Sequence, residues 1–160
     1  MEPQVRKSVL MTALVLITTA CATTPSPGVP ASTGDGRGSA APRLAVDAFL
    51  DAVRTEDLQA MGATWGTERG PARESIERAE LEKRVIILQC YLQHDSYRVL
   101  SEVPGEGGRR VVRVELTRGT DKRQPALHAI QGPGGRWFVE NVELAAVRDF
   151  CGLPATPQTP

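Results

Sequence analysis

The sequence lacks an excess of charge of either sign and contains few aromatic residues and histidines. Nineteen Lys and Arg balance nineteen Asp and Glu, and aromatic residues make up 4% of the 160 residues. Because no positive excess exists to hold a nucleic-acid backbone, we expect no nucleic-acid partner. With two His, three Cys and neither a Cys-x-x-Cys nor a His-Glu-x-x-His spacing, the sequence predicts no metal site, and no motif indicates a cofactor.

A long hydrophobic run is also missing, although a short one lies near the start of the chain. Arg6 and Lys7 precede an apolar run over residues 9–17, which small residues and then Cys21 follow. A helix that crosses the hydrocarbon needs about 20 apolar residues, and this run is about half as long. Its layout predicts an export signal over residues 1–20, with a short membrane anchor as the alternative.

The end of this run, Ile17-Thr18-Thr19-Ala20-Cys21, resembles the lipobox of bacterial lipoproteins. The resemblance implies that the signal is cleaved ahead of Cys21 and that the cysteine is acylated on its thiol and on its new amino terminus. Several acyl chains together anchor a protein stably to a membrane. By the same resemblance, Ala22 favours the outer membrane of a bacterial cell envelope, with the protein facing the periplasm.

Residues 22–42 are predicted to be a flexible tether. Eighteen of these 21 residues are Ala, Gly, Pro, Ser or Thr, so the segment cannot build a core. A chain of this composition has a root-mean-square span of roughly 25 Å, which would hold a domain near a membrane without fixing its orientation. At the other end, residues 152–160 contain three prolines and no apolar pattern, and we expect a disordered tail.

If Cys21 is lipidated, Cys90 and Cys151 are the two cysteines that remain available for a disulfide. An oxidising periplasm would allow the two thiols to pair, and we predict a disulfide. The alternative is two separate buried thiols, each packed as a small hydrophobic group.

Helical periodicity predicts three helices in the first half of the folded part. The first covers residues 43–54, where apolar side chains recur at i, i+3, i+4 and i+7. Thr55 is suited to cap a short second helix. The third helix covers residues 72–93, and its many charged side chains are expected to form a solvated outer face.

After Asp95 the apolar residues recur at every second position, as they do in strands that bury one face. Glycine-rich turns separate four predicted strands, which lie at residues 97–103, 112–117, 126–131 and 136–144. The chain order predicts an α+β domain over residues 43–151, with three N-terminal helices packed on a curved, four-stranded antiparallel sheet that forms a cone.

This element order resembles the nuclear transport factor two-like superfamily over residues 43–150. The resemblance is carried by Ala48-Phe49-Leu50 ahead of Glu56-Asp57-Leu58, and by the run Gly134-Gly135-Arg136-Trp137-Phe138-Val139. Membership would imply a cone around a pocket that serves either as an active site or as a binding surface. It would also imply that two copies can dimerise sheet to sheet.

Two histidines are the candidates for acid or base chemistry in such a pocket. His94 lies at the junction of the third helix and the first strand, where it either titrates near neutrality or simply interacts with the carboxyl end of its own helix. His128 lies on the third strand, where it either points into the pocket as a base or is an ordinary cross-strand residue. The candidate pocket residues are Trp65, Tyr91, Tyr97 and Trp137.

The sequence therefore predicts a membrane-anchored envelope lipoprotein whose domain binds a ligand or a protein and is not catalytic. The expected partners are the membrane, through the lipid anchor, and either a protein or a small hydrophobic ligand. The alternative is a small-molecule isomerase, hydrolase or cyclase-like enzyme that uses His94 or His128. A third hypothesis is a homodimer.

Overall fold

The structure is a computed structural model, and it describes residues 38–152. The predicted signal peptide, the lipidation site Cys21, residues 22–37 of the predicted tether and residues 153–160 of the predicted tail lie outside the described residues. The helices are α1 (Pro42–Arg54), α2 (Leu58–Thr64), α3 (Ala72–Ser75) and α4 (Arg78–Leu92). The strands are β1 (Gly66–Thr67), β2 (Gly70–Pro71), β3 (Ser96–Pro104), β4 (Arg110–Arg118), β5 (Asp121–Arg123), β6 (Ala126–Gln131) and β7 (Trp137–Val142).

The first helix agrees with its sequence prediction. Pro42 occupies the first turn, where its missing N–H costs nothing, and the helix then runs to Arg54. The apolar spacing places one face of α1 in the core, where Val46, Phe49 and Leu50 are fully buried. None of the helices within residues 38–152 combines the length and the apolar content that crossing a membrane requires.

The prediction of one unbroken helix over residues 72–93 is wrong. The helix stops after Ser75, because Ile76 adopts an extended conformation with φ −113° and ψ 137°. The side chain of Glu77 then accepts a hydrogen bond from the backbone N–H of Glu80 at 3.1 Å, and this capping interaction starts α4. A turn is thereby inserted that lets Ile76 pack against the core.

The sheet is antiparallel in the order β3-β4-β6-β7, as the predicted meander requires, and it has a fifth strand. Strand β5 pairs with the end of β4 at residues 116–118, on the same edge that β6 occupies at residues 110–113. The sequence pattern predicts a turn in the region of β5. A three-residue strand is too short to show an alternation of apolar and polar residues.

One face of the sheet packs against the helices and forms a single core. Cross-strand pairs such as Val112 with Leu127 lie on this inner face. The buried core residues of the sheet are Val112, Val114, Leu116, Leu127, Val139 and Val142, and those of the helices are Val46, Phe49, Leu50, Ala52, Val53, Met61, Ala72, Leu81, Val85 and Leu92. Register shifts after Val99 in β3 and after His128 in β6 interrupt the regular pairing, as β-bulges do.

The end of the folded part is fastened to α4 by the predicted pair of cysteines. The sulfur atoms of Cys90 and Cys151 lie at the bonding distance of 2.02 Å. The neighbouring Phe150 is fully buried, and its carbonyl accepts a hydrogen bond of 2.6 Å from Nη1 of Arg118. The last turn of the domain is therefore held by a covalent bond, an apolar anchor and a charged donor.

Candidate functional site

The space between α1 and the sheet is filled with apolar side chains. Phe49 and Leu50 from α1, Met61 from α2, Leu92 from α4 and Leu116 from β4 all have an exposure of 0%. They pack in one cluster between the helices and the sheet. Chemistry inside this interior would require the substrate to displace close-packed side chains.

His94 belongs to this interior and not to an open cleft. Its exposure is 2%, and its Nδ1 lies 2.7 Å from the carbonyl oxygen of Leu92, so the Nδ1–H donates to that oxygen. Nε2 is buried and has no hydrogen-bond partner within residues 38–152. Burial lowers the pKa of His94 below its ordinary value, although the Leu92 carbonyl acts in the opposite direction. The imidazole is therefore held neutral at the junction of α4 and β3.

Tyr97 lies beside His94, and the two rings meet edge to face at 5.5 Å between centroids. The Tyr97 hydroxyl donates a hydrogen bond of 3.1 Å to Oδ1 of Asp47 on α1. Burial, together with the negative charge of Asp47, raises the pKa of Tyr97. The phenol stays protonated and ties β3 to α1, which is a structural role. Tyr91 on α4 is half-buried against the same core.

His128 lies on the opposite face of the sheet. It is paired with Val111 of β4 and with Asn141 of β7, whereas its neighbour Leu127 points to the core. Successive residues of a strand face opposite sides, so the His128 side chain points away from the helices. The structure separates the two histidines, and neither has the open, inward-facing position that the enzymatic hypothesis requires.

A surface groove is formed where Trp65 meets the exposed side of α4. It has a volume of about 240 Å³ and is lined by Trp65, Arg84, Ile87 and Leu88. The indole Nε1–H of Trp65 donates to the carbonyl oxygen of Glu140 at 3.1 Å, so the polar atom of the ring is satisfied. Glu140 is the extra residue of a β-bulge in β7. Its neighbours Val139 and Asn141 pair with the consecutive residues Ala129 and His128 of β6, and Glu140 lies between these two pairs. The bulge therefore positions the Trp65 ring next to α4.

The outer side of α4 is the most apolar exposed part of this region. Ile86 is 51% exposed and Ile87 is 52% exposed, although isoleucine is usually buried. Their exposure was not predicted, because the many charged residues of this helix predicted a solvated, charged outer face. The available signal was the run Val85-Ile86-Ile87-Leu88, because four consecutive apolar residues surround most of a helix and cannot all face the core.

Trp137, the last of the predicted pocket residues, is half-buried at the edge of β7 that faces away from β6. Its N–H donates to the Ser39 carbonyl at 2.8 Å, and the Ser39 N–H donates to the Trp137 carbonyl at 2.9 Å. Trp65 makes a β-bridge to Val139, two residues further along β7. Trp65 and the start of the described chain therefore lie next to one another along one strand edge.

A second, larger groove lies at the turn between β6 and β7. It has a volume of about 620 Å³ and is lined by Arg69, Gly70, Pro71, Glu74, Pro133, Gly134, Arg136 and Phe138. Arg69 and Arg136 come from turns and Glu74 comes from α3, so the groove carries charges of both signs. Within residues 38–152, no group of three or more His, Cys, Asp or Glu residues could hold a metal ion.

The chain matches no family model, no curated protein and no solved structure.

Proposed function

We propose that this chain is a lipoprotein of the bacterial cell envelope, anchored through Cys21, whose α+β domain is a non-catalytic binding module. The observation that supports this function best is the contrast between interior and surface. The interior is filled by side chains such as Phe49 and Leu92, whereas Ile86 and Ile87 expose apolar surface beside the Trp65 groove. An exposed apolar patch on a folded domain marks a contact site.

The order of helices and antiparallel strands also supports the proposal that the domain belongs to the nuclear transport factor two-like superfamily. In this proposal the domain uses its outer surface and not a central pocket. The buried, neutral His94 and the outward-facing His128 favour binding over acid–base catalysis. The Cys90–Cys151 disulfide agrees with an oxidising compartment such as the periplasm.

The anchor is tested by cell fractionation of the full chain and of a Cys21→Ser variant in a Gram-negative host. We expect the wild-type chain in the outer-membrane fraction and the variant released from it, because serine cannot form the thioether. A Cys21→Ser chain that is distributed like the wild type would contradict the anchor.

Catalysis is tested with a panel of ester and ketosteroid substrates and with two variants, His128→Ala and His94→Gln. We expect no turnover that depends on either histidine. Circular dichroism of each variant controls for folding, which matters for the buried His94. A folded variant that has lost a turnover present in the wild type would overturn the assignment as a binding module.

A further inference from the structure

We infer that the exposed side of α4 lies against the same lipid bilayer that holds the anchor, an inference that rests on the proposed function. The bilayer patch consists of Trp65, Lys83, Ile86 and Ile87. The occupant of this apolar surface is then the lipid head-group region and not a soluble protein.

The chemistry of the patch is that of an interfacial helix face. Ile86 and Ile87 are each about half exposed and follow one another on α4, so together they present a wide apolar surface. Trp65 lies beside Ile87 in the adjoining groove, with its N–H already bonded to the Glu140 carbonyl. Exposed aliphatic side chains flanked by tryptophan are typical of surfaces that enter the boundary between head groups and acyl chains.

The charges around the patch suit a phosphate-bearing surface. On α4, Glu80 pairs with Arg84 at 2.7 Å and Glu82 pairs with Arg78 at 3.1 Å. Among the residues that the structure describes, Lys83 has no ion-pair partner, and it is three residues before Ile86 on the same side of the helix. A lysine beside exposed isoleucines adds attraction to anionic lipids.

The course of the chain brings the patch to the membrane. Ser39 belongs to the predicted tether, and its backbone is hydrogen-bonded to Trp137 on the edge of β7 that faces away from β6. Trp65 is bridged to Val139 on that edge, and two residues along a strand span about 7 Å. An anchor at Cys21, 18 residues before Ser39, would give the patch a high effective concentration at the bilayer.

The test uses the full acylated chain in vesicles of phosphatidylcholine and phosphatidylglycerol. An environment-sensitive fluorophore is attached to Ile87→Cys, and in a matched control to Ser101→Cys. Ser101 is exposed on β3, opposite Arg113, on the sheet face that points away from the helices. The native cysteines are acylated or bonded to each other, so only the introduced thiol reacts.

We expect the label at residue 87 to shift its emission to the blue and to be quenched by lipids brominated on their acyl chains, while the label at residue 101 is unaffected. We also expect the double substitution Ile86→Asn and Ile87→Asn to lower the vesicle partitioning of a Cys21→Ser chain without residues 1–20 by about tenfold. Residues 1–20 are omitted because their apolar run would itself enter the vesicles. Thermal unfolding of each variant confirms that the fold is retained.

A label at residue 87 that remains as solvated as the one at residue 101 would overturn the inference. A blue shift at residue 87 that occurs without vesicles would overturn it too, because the tail or a second copy of the chain would then cover the patch. Failure of the anchor is recognised separately by mass spectrometry, which would then find the peptide that contains Cys21 without the added mass of acyl chains. The vesicle partitioning of the Cys21→Ser chain does not depend on acylation and still tests the patch in that case.

Discussion

Removing the Cys90–Cys151 disulfide should destabilise the domain by an amount that the loop length sets. The bond joins residues separated by 61 positions, and a cross-link of this span restricts the unfolded chain by about 4 kcal/mol in the chain-entropy model. Cys151 is exposed and Cys90 is half-buried, so replacing both with serine creates no large cavity. We therefore expect Cys90→Ser with Cys151→Ser to lower the free energy of unfolding by about 4 kcal/mol.

The native packing of the last turn should survive this change. Phe150 remains buried, and Arg118 can still donate to its carbonyl, so the circular dichroism spectrum of the folded state should be unchanged. Urea unfolding of the oxidised wild type, the reduced wild type and the double serine variant measures the loss. The reduced wild type and the variant should agree. A loss below about 1 kcal/mol would refute the reasoning that the bond acts by restricting the unfolded chain.

Three further predictions concern single side chains. Because burial lowers the pKa of His94 below 6.5, stability should fall as the pH drops below 6.5, and NMR titration of the imidazole should show the lowered pKa. Gly132→Ala should cost about 1–3 kcal/mol in urea unfolding, because its Cβ would lie 2.9 Å from the Phe138 ring. Hydrogen bonding to Arg98 lowers the pKa of Glu115 to about 2. The wild type should therefore be more stable than Glu115→Gln above pH 4.5, and this difference in the free energy of unfolding should disappear toward pH 2.

Local patterns were sufficient to predict α1 and the pairing of β3 with β4. The i, i+3, i+4 spacing around Phe49 and the alternation after Asp95 each depend only on neighbours in the sequence. The break at Ile76 could not be predicted in this way, because the residue leaves the helix in order to pack against a core that distant segments build. Strand β5 forms because β4 extends past the end of β6 and leaves an edge free.

The candidate site was harder to predict than the fold. Trp65 was predicted as a pocket residue, and it does line a groove, but the groove lies on the surface of α4. The burial of His94 and the exposure of Ile87 depend on how α4 is rotated against its neighbours, which periodicity alone leaves open. The outward direction of His128 follows from its register with Val111, a long-range pairing that a single strand does not encode.

The most direct test of the central claim is the mass of the N-terminal peptide of the protein extracted from cell membranes. Lipidation at Cys21 predicts a peptide that begins at Cys21 and carries the added mass of several acyl chains, with residues 1–20 removed. A peptide that retains the leader and a free thiol at Cys21 would contradict it.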